Sequence, residues 1–313
     1  MLKYAIRRAF LIIPTLWAIV TVVFFLIRSV PGGPAVAALG TYASEQEIRA
    51  LEHRMGLDKP ILVQYAIFLK NLCHGNLGKS LITQQSVAKE IAQVFPYTLD
   101  LAVSGMFLGI LMGVPIGIFT ALKRNRLPDY IGRVFSLTGI SMPEFYLGII
   151  LMYIFAVKLN IFPVVGGGDL GKLGSRVYHL VLPAFTLGIA MTAFVSRMTR
   201  SSMLNVLGED YVRTARAKGV SERMTIYKHA LKNALIPTTT VVGLYATVLM
   251  GGSVLTEIVF SRPGLGKMMV FAVKDRDYMT LQAVIVIFSA AVFFLNLVTD
   301  LLYALIDPRI EYH

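Results

Sequence analysis

Six runs of apolar residues, at 9–27, 99–122, 134–157, 178–196, 235–255 and 281–302, constrain this chain more than any other feature. Each is long enough to cross the hydrocarbon core of a bilayer, which takes about 20 residues of helix. The composition agrees: of 313 residues 56% are hydrophobic and 15% charged, a balance that places the chain among membrane proteins. The expected fold is all-α, a polytopic membrane protein with six transmembrane helices. Pro14 falls inside the first run. A membrane helix tolerates it, because neighbouring groups satisfy the carbonyl it frees.

The net charge of +12 is spread over short segments between the apolar runs rather than gathered in one patch or arm. That distribution argues for membrane topology and against a nucleic-acid partner. Lys3, Arg7 and Arg8 precede the first run, and Lys123, Arg124, Arg126 and Arg133 lie around the gap before the third. Arg197, Arg200, Arg213, Arg216, Lys218, Arg223, Lys228 and Lys232 fall between the fourth and fifth. These segments face the cytoplasm by the positive-inside rule, and an even number of spans puts both termini there. The chain then divides into an N-terminal transmembrane helix (1–28), an external amphipathic layer (29–98), a five-helix core (99–306) containing a cytoplasmic loop (197–236), and a cytoplasmic tail (307–313). Ala35-Val36-Ala37 resembles a signal-peptidase site, but the preceding run is longer than a signal core, so the first helix is expected to be retained.

Enzymatic machinery is not legible. His53, His74, His179, His229 and His313 show no metal-ligand spacing, and Gly251-Gly252-Ser253 does not form a nucleophile elbow. Gly75-Asn76-Leu77-Gly78-Lys79-Ser80 ends like a phosphate-binding loop, but Cys73 stands where that loop needs its first glycine. In Gly264-Leu265-Gly266-Lys267 the following Met268 replaces the magnesium-binding hydroxyl. Cys73 is the sole cysteine, which excludes an intrachain disulfide. No catalytic residue, metal or cofactor is expected.

Gly105, Gly109, Gly113 and Gly117 line one face of the second span and let another helix backbone approach, most simply one of the same subunit. The segment between the fourth and fifth spans is helical in pattern. One helix is expected from Ser201 to Lys218, with Gly219 as its C-cap, and a second from Ser221 to Ile236, ended by Pro237. Small and aromatic side chains among basic ones on a short exposed helix fit docking into a partner's groove.

The run Glu209-Asp210-Tyr211-Val212-Arg213-Thr214-Ala215-Arg216-Ala217-Lys218-Gly219-Val220-Ser221-Glu222, followed by His229-Ala230-Leu231-Lys232-Asn233-Ala234-Leu235-Ile236-Pro237, resembles one family. It is that of the inner-membrane permeases of dipeptide, oligopeptide and nickel ATP-binding-cassette importers, of type I. Val30-Pro31-Gly32, Leu57-Asp58-Lys59-Pro60, Gly78-Lys79-Ser80, Arg276-Asp277-Tyr278 and Asp307-Pro308-Arg309 extend the resemblance over nearly the whole chain. It implies a permease that forms half of a translocation path for peptides, without an ATPase site of its own. Implied partners are a second homologous permease, two ATPase subunits, an external substrate-binding protein and membrane lipid. Glutathione or chelated nickel is the alternative cargo, and an ion-coupled carrier the rival mechanism. In the wider superfamily the coupling motif begins Glu-Ala-Ala; here Arg213-Thr214-Ala215 holds those places, so a glutamate contact does not carry over.

The resemblance assigns ATPase coupling to Glu209, Tyr211, Val212, Arg213, Ala215, Arg216, Ala217 and Gly219, with Tyr211, Ala215 and Gly219 on one docking face. Thr238, Thr239, Tyr245 and Ser253 are the pore-lining candidates, weighed against hydroxyls that bond their own helix. Glu144 and Asp300 are ionisable groups near or inside spans.

Overall fold

A computed structural model describes residues 2–30, 33–40 and 43–306, the side chains of 2–9, 37, 300 and 302–306 excepted. The expected tail at 307–313, Pro31-Gly32 and the side chains of Lys3, Arg7, Arg8 and Asp300 lie outside that description. The elements in order are α1 (Leu2–Arg28), α2 (Gly33–Leu39), α3 (Glu45–Met55), α4 (Ile61–Cys73), α5 (Val87–Leu122) and α6 (Leu127–Ser141). Next come α7 (Glu144–Leu151), prolonged by a π-helical stretch at Met152–Lys158, then α8 (Leu173–Leu207) and α9 (Asp210–Ala217). The short α10 (Glu222–Met224) passes through a π-helical stretch at Thr225–Ala230 into α11 (Leu231–Val259), followed by α12 (Leu265–Lys274) and α13 (Tyr278–Ile306). No strand occurs among the described residues.

Among the described residues five helices are long and apolar enough to cross a membrane: Phe10–Arg28, Val87–Leu122, Leu173–Leu207, Glu222–Val259 and Tyr278–Thr299. The third expected span, 134–157, is not one helix. It is two, Leu127–Ser141 and Glu144–Lys158, bent by 106°, and it supplies a sixth crossing only if the pair traverses the bilayer together. The break lies at Met142-Pro143. A proline has no N–H for the ladder and pushes the residue before it out of helical geometry, as Met142 shows with φ −86 and ψ 125. Pro14, Pro183 and Pro237 stay inside continuous helices.

Two compact units emerge, one of Met1–Ala5, Tyr97–Arg262 and Phe294–His313, the other of Ile6–Pro96 and Pro263–Phe293. In the first, the glycine face of α5 lies on α8. A Cβ on Gly105 would stand 3.0 Å from Leu187 Cβ, on Gly109 2.5 Å from Met191 Cγ, on Gly113 2.7 Å from Val195 Cβ, and on Gly117 2.5 Å from Thr199 Cβ. The four-residue repeat is thus matched by a four-residue repeat on α8, within the same subunit. The other face of α8 packs on α6, where Gly139 faces Ala193 and Ser136 bonds Ser196, so these two helices run antiparallel.

The second unit contains α1 from Ile6 on, α3, α4 and α12. Phe24 is fully buried and stacks on Phe68, 5.5 Å between centroids. Helix α3 starts with a capping box between Ser44 and Glu47 and ends at Gly56, whose φ of 68 places it in the left-handed region. Val87, Ile91, Leu265, Ala283 and Val284 form a buried cluster of this unit.

Candidate functional site

The segment after α8 folds differently from expectation at both ends. The helix anticipated over Ser201–Lys218 is interrupted: α8 ends at Leu207, Glu209 is extended (φ −72, ψ 150), and α9 starts afresh at Asp210. A glycine at 208 followed by an N-cap residue with an acidic neighbour supplies a stop and a start that override the helical pattern. The second anticipated helix does not stop before Pro237. From Leu231 the helix continues to Val259 as one element.

Helix α9 is held by few contacts. Val212 is fully buried, in a cluster with Ile118, Ala121, Met203, Ile226, Ala230 and Ala234, and Ala215 is 8% exposed. Asp210, Tyr211, Arg213, Thr214, Arg216 and Ala217 are all exposed, as are the flanking Glu209 and Gly219. This corrects the expected docking face. Ala215 points into its own subunit while Tyr211 does not, because an eight-residue helix seated on a core buries its i and i+3 apolar pair. Val212 and Ala215 are therefore anchors, and neither is free to meet a partner.

Three devices fix α9 to the chain on its C-terminal side. Gly219, with φ 76, turns the chain back in a conformation that a side chain would strain. Across that turn Arg216 donates two hydrogen bonds to Glu222, Nε to Oε2 at 3.0 Å and Nη2 to Oε1 at 2.7 Å. The Glu222 carboxylate holds the Arg216 guanidinium above its usual range. Asn233 Nδ2 donates to the Tyr211 hydroxyl at 2.8 Å, linking α9 to the first turn of α11. Arg213 forms an ion pair with Asp210 on the exposed side. The π-helical turn at Thr225–Ala230 lies between α9 and the long helix; such turns recur at functional sites.

The threonine and serine candidates on α11 bond carbonyls of their own helix. Thr238 Oγ1 donates to Ala234 O at 3.2 Å, Thr239 Oγ1 to Ile236 O at 2.8 Å and Ser253 Oγ to Met250 O at 2.7 Å. Thr238, Tyr245 and Ser253 are buried within the subunit. The exposed side of α11 carries Asn233, Pro237, Thr240, Leu244, Thr247 and Gly251 instead. Tyr245 has a partner that sequence reasoning did not connect to it: its hydroxyl donates to Glu144 Oε1 at 3.0 Å. Gly252 makes room for that carboxylate, since a Cβ there would fall 1.8 Å from Glu144 Oε2.

The loop resembling a phosphate cradle has its polar groups committed. Ser80 Oγ donates to Asp277 Oδ2 at 2.5 Å and accepts from the amides of Ile82 and Thr83, while Gly78 N donates to Asn76 Oδ1. Asp277 also accepts from Leu81 N and Thr280 Oγ1. Gly78-Lys79-Ser80 and Arg276-Asp277-Tyr278, two motifs far apart in the chain, thus form one buried latch.

Long apolar helices, with a short amphipathic helix at the end of one of them that is exposed on all but two side chains, are the architecture of a multi-pass membrane protein. The family described as binding-protein-dependent transport system inner membrane component matches residues 113–312, and its N-terminal companion matches residues 1–102. The chain belongs to this family: it is a multi-pass permease subunit of an ATP-binding-cassette importer. It is 42% identical to the dipeptide transport system permease protein DppB of Alkalihalophilus pseudofirmus, with 100% of both chains covered. It is 43% identical to the glutathione transport system permease protein GsiC of Salmonella choleraesuis, again over 100% of both. Among solved structures, an inward-facing form of the MetNI methionine ABC transporter superposes with a TM-score of 0.55 at 17% identity, covering 70% of this chain and 96% of that one, a likeness of fold.

Proposed function

We propose that this chain forms half of the path through which a bacterial importer moves short peptides across the inner membrane, with α9 as the element that receives ATPase motion. The observation that carries the reading is α9 itself, anchored by Val212 and Ala215 and exposed at every other position. A groove on an ATPase subunit meets Tyr211, Arg213, Arg216 and Ala217. Force applied there passes through the Arg216–Glu222 and Tyr211–Asn233 bonds into α11, and rigid helices carry it into the membrane. ATP hydrolysis belongs to the ATPase subunits.

The peptide class rests on the full-length similarity to a dipeptide permease. Glutathione, itself a short peptide derivative, is favoured to a similar degree by the second relative. In this reading the other components are a second homologous permease, two ATPases, an external binding protein and surrounding lipid. The chain divides at 1–28, 29–98, 99–306 and 307–313, with 29–98 external, and 197–236 and both termini cytoplasmic. That parity requires the bent pair α6–α7 to cross the membrane. Labelling tests it directly. With the exposed Cys73 replaced by serine, a Ser221→Cys variant should react with an impermeant maleimide only in opened cells. Reaction in intact cells would overturn the orientation. Proteoliposomes holding the full complex should take up a labelled dipeptide on ATP addition; uptake of glutathione alone would move the cargo assignment.

A further inference from the structure

A cleft of about 170 Å³ opens between α5, α6 and α8, lined by Thr120, Arg133, Ser136, Ser196, Arg197 and Arg200. Nothing in the coupling mechanism uses it. Gly132 shapes its edge, since a Cβ there would fall 2.4 Å from Thr120 Cγ2 and α6 could not approach α5.

The charges around the cleft do not cancel. Arg200 is spent on Asp129, donating Nε to Oδ1 at 2.5 Å and Nη2 to Oδ2 at 2.9 Å, and Asp129 also accepts from Asn125 N. Asp129 is fully buried beneath this pair. Arg133 is left 3.9 Å from the same carboxylate, beyond hydrogen-bond reach, with its Nε buried and without an acceptor. Its guanidinium lies 4.4 Å from the centroid of the Tyr130 ring. Arg197 forms no ion pair among the described residues. Two positive groups therefore border a cavity whose lining includes no carboxylate to balance them.

The hydroxyls add direction. Thr120 and Ser136 each donate to a carbonyl of their own helix, Ile116 O at 2.8 Å and Gly132 O at 2.8 Å, which leaves Thr120 as an acceptor toward the cleft, while Ser136 also meets Ser196 Oγ at 3.1 Å and keeps one further lone pair. An anion with its own O–H groups suits this set better than a bare one: its charge meets the arginines and its hydroxyls meet the lone pairs. Beside the cleft α6 exposes Ile131, Val134 and Leu137, at 60%, 62% and 58%, a continuous apolar strip. A soluble phosphate has no use for that strip, whereas acyl chains do.

We propose that this cleft is a binding site for an anionic phospholipid, its phosphate held between Arg133 and Arg197 and its acyl chains laid along the outer face of α6. Basic pockets between transmembrane helices bind such headgroups, and each arginine near a lipid phosphate contributes favourably. Such a site requires the cleft to lie at a membrane boundary and does not depend on the coupling role of α9.

The test uses the full-length chain, purified with its co-purifying subunits, delipidated and titrated with phosphatidylglycerol or phosphatidylcholine by native mass spectrometry. The expected result is one phosphatidylglycerol retained per chain and a double variant, Arg133→Gln with Arg197→Gln, that binds about tenfold more weakly or worse. Arg197→Lys should keep most of the affinity, which separates lost charge from a damaged fold. Inorganic phosphate or glycerol 1-phosphate at the same concentration should not displace the lipid. Equal competition by either would make this a soluble-phosphate site and overturn the proposal. So would equal binding of phosphatidylcholine, or undiminished phosphatidylglycerol binding by a double variant whose thermal unfolding matches the parent.

Discussion

The seam between α5 and α8 and the seat of α9 are contacts within one compact unit, built in opposite ways. Along the seam, four glycines at four-residue intervals lie against Leu187, Met191, Val195 and Thr199, and an added Cβ would collide or press at every one. At α9, two small side chains make the burial and six residues remain exposed. A contact repeated over four turns holds helices at a fixed separation and admits no variation. A helix seated on Val212 and Ala215 leaves the rest of its surface exposed. The first arrangement is scaffold; under the proposed function the second is a handle.

The sharpest way to break that comparison is to enlarge a seam glycine. Gly109→Leu would place its Cβ within 2.6 Å of Met191 Cβ, so the backbones have to separate. Overpacking ordinarily costs about 1–3 kcal/mol, and here the clash involves atoms next to the backbone. Membrane abundance, read by fluorescence-detected size exclusion, should collapse. Gly251→Ala, which meets no atom within 4 Å, should leave abundance unchanged. Equal tolerance of both would show that the seam is not close-packed.

Next in size is Ala215→Trp. Because Ala215 is buried in its own subunit, the substitution should cost about 1–3 kcal/mol and unseat α9, lowering both abundance and transport. Full abundance with lost transport would instead return Ala215 to the docking face. Smaller still is the clamp. Arg216 and Glu222 are 39% and 59% exposed, so Glu222→Gln should change stability by no more than about 1 kcal/mol in thermal melts. Its transport rate should nonetheless fall several-fold, because the bond joins α9 to the start of the long helix.

Much of this architecture is legible in the sequence, and the failures have causes. Apolar runs report helices because hydrocarbon permits little else, and the glycine stripe named the α5 contact face without naming α8. Pro143 reads like Pro14, Pro183 and Pro237, yet it alone of these four separates two helices. Local sequence does not distinguish a tolerated proline from a breaking one when the difference lies in what packs around it. The Ser80–Asp277 latch joins residues 197 positions apart, and the Tyr245–Glu144 bond residues 101 apart. Both motifs and both side chains were visible, and their pairing was not. At α9 the segment was legible and its orientation was not, because only the folded core decides which of two small faces is buried.

The handle itself is tested most directly by charge reversal on its exposed side. Arg213 is 70% exposed and, among the described residues, pairs with Asp210 of its own helix, itself 88% exposed, so Arg213→Glu should leave folding and abundance as they are. In the reconstituted complex the variant should lose ATPase co-purification and substrate-stimulated ATP hydrolysis together, by about tenfold if Arg213 lies centrally in the contact. An Arg213→Glu permease that retains its ATPase subunits and transports at the parental rate would contradict the assignment of α9 as the coupling element.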